Sequence, residues 1–323
     1  MESKKPVISI ICALRNDERF IRETLETVVS QTFSDWELII MDGASTDGTV
    51  EILKEYAAKY PNIIWRSEPD KGQWDALDKA LALARGEYLF QLCGQDGYLD
   101  KDWFKRCVQT FEERPEVSLV WGVQFNMSED GKLLGPHYTL AGFLKDKQYG
   151  LQTKPVDTIL AKIDWHRPEA GKRLRHLLEK LTWSRLVALF RGFHKEDIPQ
   201  KENWFLYWLK TGRAFPEGNM CVRKEVYVRN TVRFPKETMA NSALFDFCFN
   251  FNANGYLAYG LPIAASFGRI HVVEGQSLRK HDKMLFMKYK RQVAEFRKKV
   301  RKQNTFKFID PEGNVVSERA PNL

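Results

Sequence analysis

Short apolar runs alternate with helix-like segments along the first part of the chain. Five runs rich in Ile, Val, Leu or aromatic residues predict strands at 7–12, 37–41, 62–66, 87–92 and 117–121. Between the first four, apolar residues recur every three or four positions, which is typical of helices with one buried face. Strands separated by helices at this interval predict right-handed crossovers and a mainly parallel α/β sheet. Ligands bind beyond the carboxyl ends of such strands, so the loops that follow them are the candidate functional loops.

The second part of the chain has a weaker pattern. From residue 131 it loosens into loops that contain Gly, Pro and Lys, and a basic helical segment follows at about 162–195. A mixed region at 215–270 contains further strand and helix candidates. Residues 280–302 have the spacing of a charged helix, after which the chain is predicted to fray.

The net charge of +8 comes from two segments only. Residues 279–307 contain twelve Lys or Arg and two Asp or Glu, a local charge of +10. Residues 162–195 contain nine Lys or Arg and three Asp or Glu, a local charge of +6. The overall charge is therefore no argument for nucleic-acid binding, and the question is what these two segments contact. Each mixes apolar with cationic residues, which suits either a helix on an anionic membrane or a core-packed helix with a solvated basic face. If the C-terminal segment binds a membrane, a truncation before Arg279 should reduce binding to lipid vesicles and spare activity on a soluble substrate.

Other sequence features bear on location. No apolar run approaches the roughly 18 to 20 residues that span a bilayer. The apolar stretch at 7–14 is followed by Arg15 and Asn16 and is interpreted as a buried strand, not a signal peptide. The five cysteines include no C-x-x-C pair, which argues against a disulfide framework or a zinc site. A reducing, cytoplasmic location is expected.

The loop after the second strand reads D-G-A-S-T-D-G-T from Asp42. Gly43 and Gly48 have the spacing of a phosphate-binding P-loop, but Thr49 occupies the position of the required lysine, which excludes an NTPase. Residues 45–47 can cap the next helix. Asp42 is then left to accept a hydrogen bond from a nucleobase N–H.

Two more loops carry acidic residues at strand ends. After the third strand, Pro69 and Gly72 predict a turn, and the helix dipole is enough to explain the acidic residues around it. The fourth strand ends in L-C-G-Q-D-G, where Asp96 is either a turn residue or a ligand for a divalent cation.

Taken together, these stretches resemble glycosyltransferase family 2. The run S-I-I-C-A-L-R-N-D-E from Ser9 looks like the opening strand of that family, and the Asp42 loop resembles its D-G-x-S-x-D-G-T loop. The run S-E-P-D-K-G-Q-W-D-A-L-D-K-A from Ser67, followed by A-R-G-E-Y from Ala84, is similar to its next signature. The order and the spacing of all three match.

The resemblance implies a GT-A fold, a Rossmann-like α/β domain with a mainly parallel central sheet and flanking helices. Residues 1–130 would form the nucleotide-sugar-binding half, and residues 131–278 the acceptor-binding half with the basic insertion at about 162–195. Residues 279–323 would form a basic helical tail.

The resemblance also assigns roles to single residues. The donor-binding positions would be Ala13, Arg15, Asn16, Asp42, Asp70, Lys71 and Gln95. Asp96 would bind Mn²⁺ or Mg²⁺, although Gln95 stands where an acidic residue is usual, and His271 would close over the diphosphate or complete the metal shell. Asp246 lies in the region that carries the catalytic base. Its aromatic neighbours predict a raised pKa, and the alternative is a helix N-terminal aspartate.

These roles imply an inverting transfer of a sugar from a nucleotide-sugar donor to an acceptor hydroxyl, in polysaccharide or glycolipid assembly. The acceptor would be a saccharide or a lipid-linked molecule, and the enzyme would sit peripherally at the inner face of the cell membrane. Because Gln95 replaces an acidic residue, a catalytically silent nucleotide-sugar-binding or partner protein is an alternative. A nucleic-acid-binding protein is less favoured, because the basic segments contain no nucleic-acid motif.

Overall fold

The computed structural model describes residues 5–136, 201–215, 217–231, 242–269 and 276–320. The predicted basic insertion at about 162–195 and His271 lie outside these residues. Within the described part, no helix is both long enough and apolar enough to cross a bilayer.

The N-terminal part follows the predicted order of strands and helices. Its strands are β1 (Ile8–Leu14), β2 (Trp36–Asp42), β3 (Ile63–Ser67) and β4 (Tyr88–Cys93). Helices α1 (Ile21–Val29), α2 (Thr49–Lys59) and α3 (Gln73–Leu83) connect them. The four strands are parallel in the order β3–β2–β1–β4, and Leu14, Asp42 and Ser67 lie in register at their ends. The crossovers and the shared loop edge that the sequence predicts are confirmed.

The sheet continues with strands of both directions. The further elements are β5 (Gly97–Tyr98), α4 (Trp103–Glu113), β6 (Val117–Met127), β7 (Leu133–Pro136), β8 (Cys221–Arg223) and β9 (Leu257–Arg269). Short β8 lies antiparallel between β4 and β6, while the long strands β6 and β9 are parallel to each other. β9 also pairs antiparallel with β5, so its end lies beside the loop after β4.

Apolar residues fill both faces of the sheet. On β1, Ile11 and Ala13 face one core cluster, and the alternating residues Ile10, Cys12 and Leu14 face the other. This explains why β1 has a continuous apolar sequence, because helices cover the parallel strands on both sides.

The A-R-G-E-Y signature has a structural explanation. The buried Glu37 carboxylate accepts hydrogen bonds from the Ser9 hydroxyl (2.7 Å) and from the Arg85 backbone N–H (2.7 Å). The Arg85 guanidinium also pairs with it at 2.9 Å. A Cβ on Gly86 would lie 2.5 Å from the Ser9 nitrogen, so only glycine allows this close approach to β1.

The C-terminal region adds helices and a hairpin. The elements are α5 (Glu202–Thr211), a 3₁₀ turn (Glu217–Asn219), α6 (Lys224–Asn230), α7 (Ser242–Ala253), α8 (Gln276–Val300), β10 (Phe306–Ile309) and β11 (Val315–Arg319). The predicted fraying is wrong, because the Asp310 carboxylate accepts from the backbone N–H groups of Gly313 and Asn314 and closes an antiparallel hairpin. Phe306 of this hairpin stacks on Phe205 at 4.3 Å between ring centroids.

Candidate active site

Hydrogen bonds join the loops that leave β1 and β2. The Asn16 backbone N–H donates to the Ser45 hydroxyl (2.8 Å), and its side-chain oxygen accepts from the Thr46 N–H (2.9 Å). Asn16 and Ala44 both have φ of +55°, a left-handed conformation that non-glycine residues adopt at a cost. Backbone strain of this kind is common at active sites and ligand-binding loops.

Asp42 lies where the sequence predicts, at the carboxyl end of β2, but it is only 1% exposed. Its carboxylate accepts from the Ser45 backbone N–H at 3.0 Å, from the Ser45 hydroxyl, and from the Ser67 hydroxyl at 2.5 Å. The expectation that its neighbours leave Asp42 free for a ligand does not hold, because Asp42 itself organises the turn.

The other predicted donor-binding residues differ in burial: one lies beneath the loops, and Arg15, Asp70 and Lys71 form the rim of the site. Ala13 is buried in the core beneath the loops, whereas the Arg15 and Lys71 side chains are exposed. Asp70 accepts from the Gly72 N–H (2.8 Å), and its second oxygen lies 2.6 Å from where a Cβ of Gly43 would be. Gly43 therefore lets Asp70 approach the Asp42 loop, and the exposed rim carries charges of both signs.

Gln95 is held by a carboxylate that the sequence prediction missed. Its side-chain N–H donates to Asp17 at 2.6 Å, and Asp17 is buried. A Cβ on Gly94 would lie 2.4 Å from the other Asp17 oxygen. An acidic side chain therefore lies beside this loop although position 95 itself is not acidic.

Asp96 is partly buried, and one of its carboxylate oxygens accepts from the Arg269 backbone N–H at 3.0 Å. Burial raises the pKa of Asp96 to about 7, against the lowering effect of Arg269 and with a small increase from Asp17. A carboxylate that has lost solvation in this way gains from a hard cation, for which oxygen is the preferred ligand. Asp96 therefore fits Mg²⁺ or Mn²⁺.

The protein would contribute few of the cation's ligands. Among the described residues there is no group of three His, Cys, Asp or Glu side chains that could hold a metal ion. Mg²⁺ commonly uses one or two carboxylates together with phosphate oxygens and water, so a donor diphosphate can supply the rest.

Arg269 locks the Asp96 loop to the rest of the sheet edge. Its guanidinium donates to the backbone carbonyls of Gln95 and Ser128, both at 3.2 Å, and forms an ion pair with Glu23 of α1. The Arg269 side chain is 2% exposed and also lies over the Phe20 ring at 4.5 Å. One side chain thus connects α1, the loop after β4 and the end of β6.

Two glycines line the approach to Asp96. A Cβ on Gly218 would lie 3.4 Å from one Asp96 oxygen, and a Cβ on Gly268 would lie 3.8 Å from the other. The same two positions lie 3.1 and 2.7 Å from the side-chain nitrogen of buried Gln124. The 3₁₀ turn that contains Glu217 is therefore beside Asp96. Gln124, which stands between Val123 and Phe125 in β6, was the available sequence signal for this contact.

Asp246 lies on α7, which packs against α6 and α8. It is partly buried, and burial raises its pKa while Lys288 of α8 lowers it. The predicted direction of the pKa is thus confirmed, and the catalytic role stays a prediction.

The model of the family described as Glycosyl transferase family 2 matches residues 9–196, more than half of the 323-residue chain. The chain belongs to glycosyltransferase family 2. The matched range includes every predicted donor-binding residue and Asp96, while Asp246 and His271 lie beyond it.

Named relatives of this family 2 protein include polysaccharide synthases. Escherichia coli chondroitin synthase is 30% identical over 142 residues, which are 44% of this chain and 21% of that protein. Pasteurella multocida hyaluronan synthase is 28% identical over 145 residues, which are 45% of this chain and 15% of that protein. The chain therefore spans well under a third of either relative.

Solved structures resemble this one over most of its length. S. aureus TarS 1–349 in complex with UDP-GlcNAc has a TM-score of 0.53 and 15% identity, covering 90% of this chain and 71% of that chain. The mannosyltransferase PcManGT from Pyrobaculum calidifontis, in complex with GDP-Man and Mn²⁺, has a TM-score of 0.51 and 16% identity, covering 89% and 64%. The expected GT-A fold is confirmed.

Proposed function

We propose that this family 2 protein is an inverting, metal-dependent glycosyltransferase that uses a nucleotide-sugar donor. The observation that carries the proposal is the meeting of three loops at one sheet edge, where the strained Asn16–Ser45 contact, the Asp70 rim and partly buried Asp96 lie together. Glycosyltransferases of the same fold are solved with UDP-GlcNAc and with GDP-Man and Mn²⁺, which supports a donor of this class and a divalent cation.

The loop residues at this sheet edge would have separate roles in binding the donor and the metal. Arg15, Asn16 and Lys71 offer exposed polar groups to the nucleotide, and partly buried Asp70 lies beside them. Ala13 and Asp42 support the loops from below. Gln95, held by Asp17, would direct its remaining amide oxygen toward a ribose hydroxyl. Asp96 would hold Mn²⁺ or Mg²⁺, which supplies charge neutralisation for the departing diphosphate. His271 is retained as a second ligand on the family resemblance alone.

The transfer itself is a direct displacement. The acceptor oxygen forms a bond to the anomeric carbon as the bond to the diphosphate oxygen breaks, which inverts the configuration. Asp246 takes the hydroxyl proton, for which a raised carboxyl pKa is suited near neutral pH. Glu217 is the alternative base, because the next residue, Gly218, lies beside Asp96.

The acceptor is proposed to be a saccharide or a lipid-linked molecule in surface polysaccharide or glycolipid assembly. Relatives named as chondroitin and hyaluronan synthases support the polysaccharide setting. No nucleic acid is expected as a partner.

The decisive experiment is a titration of UDP- and GDP-linked sugars with Mn²⁺, with Mg²⁺ and with EDTA, followed by calorimetry and by release of nucleoside diphosphate. We expect one donor to bind and to turn over only when metal is present. Asp96→Ala should remove the metal-dependent affinity while the free protein keeps a native circular dichroism spectrum and a cooperative unfolding transition. Asp130→Ala is the matched control, because this exposed carboxylate pairs with Lys132 and Ser128 of its own β6–β7 turn.

Each alternative gives a different result. Equal metal-dependent affinity in Asp96→Ala and wild type contradicts the metal site. Donor binding with no turnover toward any acceptor or water favours the silent binding protein. Failure to bind any nucleotide sugar refutes the proposed function.

A further inference from the structure

Helix α8 has two faces that differ in burial. Tyr289, Val293 and Val300 are buried, and the Tyr289 hydroxyl accepts from the indole N–H of Trp208 of α5 at 2.7 Å. These side chains belong to the core, so a truncation before Arg279 would also remove core packing, and its effect on activity stays a prediction. The opposite face is exposed and comprises Met284, Met287, Lys288, Lys290, Arg291, Ala294, Glu295, Lys298 and Lys299.

The exposed α8 face, as these nine residues define it, carries five cations and one acid. Within the part of the chain that the structure describes, none of the five is in an ion pair. Arg297 shows the contrast, because it donates to the carbonyls of Leu209 and Lys210 at 2.6 Å and ties α8 to α5. Among the described residues, none of the five cations donates to a backbone carbonyl in this way, although Lys290 lies over the Phe286 ring at 5.3 Å. Like charges on one helix surface repel each other.

Two methionines complete the exposed α8 face. Met284 is 60% exposed and Met287 is 47% exposed, and both lie among the cations. An anionic bilayer surface suits this combination, because headgroups attract cations while the interfacial region takes up flexible apolar side chains. A polynucleotide offers charge but has no comparable apolar layer.

We propose that the exposed α8 face docks on an anionic membrane surface. The phenyl side chains of Phe286 and Phe296 on α8 pack against the core and are not offered to lipid, so the attraction is mainly electrostatic. Lys288 of this face is the charged neighbour of Asp246, which places the docking surface next to the acceptor half.

The test measures co-sedimentation of the full chain with vesicles of phosphatidylcholine containing 30% phosphatidylserine, and with pure phosphatidylcholine. The variant is Arg291→Glu/Lys298→Glu/Lys299→Glu, which leaves Lys288 beside Asp246 unchanged. Because each cation near the surface contributes roughly fivefold to partitioning, loss of three should weaken binding by at least about 100-fold. Raised salt should weaken wild-type binding, since the attraction is screened.

The matched control is Lys54→Glu/Lys101→Glu/Lys105→Glu, three exposed cations on other helices and loops that should retain vesicle binding. Equal loss in both triple variants would mean that only net charge matters and would overturn the proposal. So would wild-type binding to pure phosphatidylcholine, absence of binding to either vesicle, or tighter binding to duplex RNA or DNA at the same salt. Donor turnover is recorded in parallel, so that failure of the proposed function appears separately from loss of lipid binding.

Discussion

Arg269→Met should destabilise the protein strongly, because the Arg269 side chain at the end of β9 is only 2% exposed. The substitution keeps the apolar stem and the backbone N–H that reaches Asp96, but it removes the guanidinium contacts to Gln95, Ser128 and Glu23. Hydrogen bonds from a charged group contribute about 1.5 to 3 kcal/mol each. Glu23 is 50% exposed and can return to water, so most of the loss comes from the two backbone carbonyls. We expect the free energy of unfolding to fall by about 3 kcal/mol.

The assay is urea unfolding followed by tryptophan fluorescence and by circular dichroism, with coincident transitions as the test of two-state behaviour. Arg22→Met is the control, because Arg22 of α1 also pairs with a glutamate, Glu55 of α2, at 2.8 Å, but both side chains are largely exposed. Its unfolding midpoint should change much less. A change below about 1 kcal/mol for Arg269→Met would refute the view that this side chain locks the loop edge.

Three further predictions concern single residues. The pKa of Asp96 is about 7 in the folded protein, above the ordinary aspartate value of about 4, so the folded state binds this proton more tightly. As the pH rises from about 4 to about 7, ionisation of Asp96 therefore lowers the stability of the folded protein. Asp96→Asn in EDTA should therefore raise the thermal midpoint more at pH 8 than at pH 4, and an equal change at both would disprove this. Gly86→Ala should lower the free energy of unfolding by about 1 to 3 kcal/mol, because its Cβ would lie 2.5 Å from the β1 backbone, and an unchanged urea midpoint would contradict it. Asp246→Asn should abolish sugar transfer, while calorimetry shows near-normal donor affinity. Normal turnover in Asp246→Asn, together with loss of turnover in Glu217→Gln, would assign the catalytic base to Glu217.

The parallel half could be predicted because its strands are continuous apolar runs separated by short connections. The strand ends and hence the site edge followed from the same pattern. Asp17 and Glu23 could not be found in this way, because they meet Gln95 and Arg269 across 78 and 246 positions of sequence. The burial of Asp42 could not be predicted from the sequence either, because only the folded loop shows that Ser45 and Ser67 donate hydrogen bonds to its carboxylate.

The C-terminal hairpin has a consequence for the order in which the chain folds during synthesis. Ser317 of β11 donates to Glu202 of α5 across 115 positions, and Phe306 of β10 covers Phe205. At about 5 to 20 residues per second, α5 emerges roughly 6 to 23 s before the strand that completes its packing. During that interval its aromatic residues are without this cover, and such exposed apolar surface favours aggregation. The yield of folded protein should therefore depend on chaperone supply more than the final stability alone would suggest.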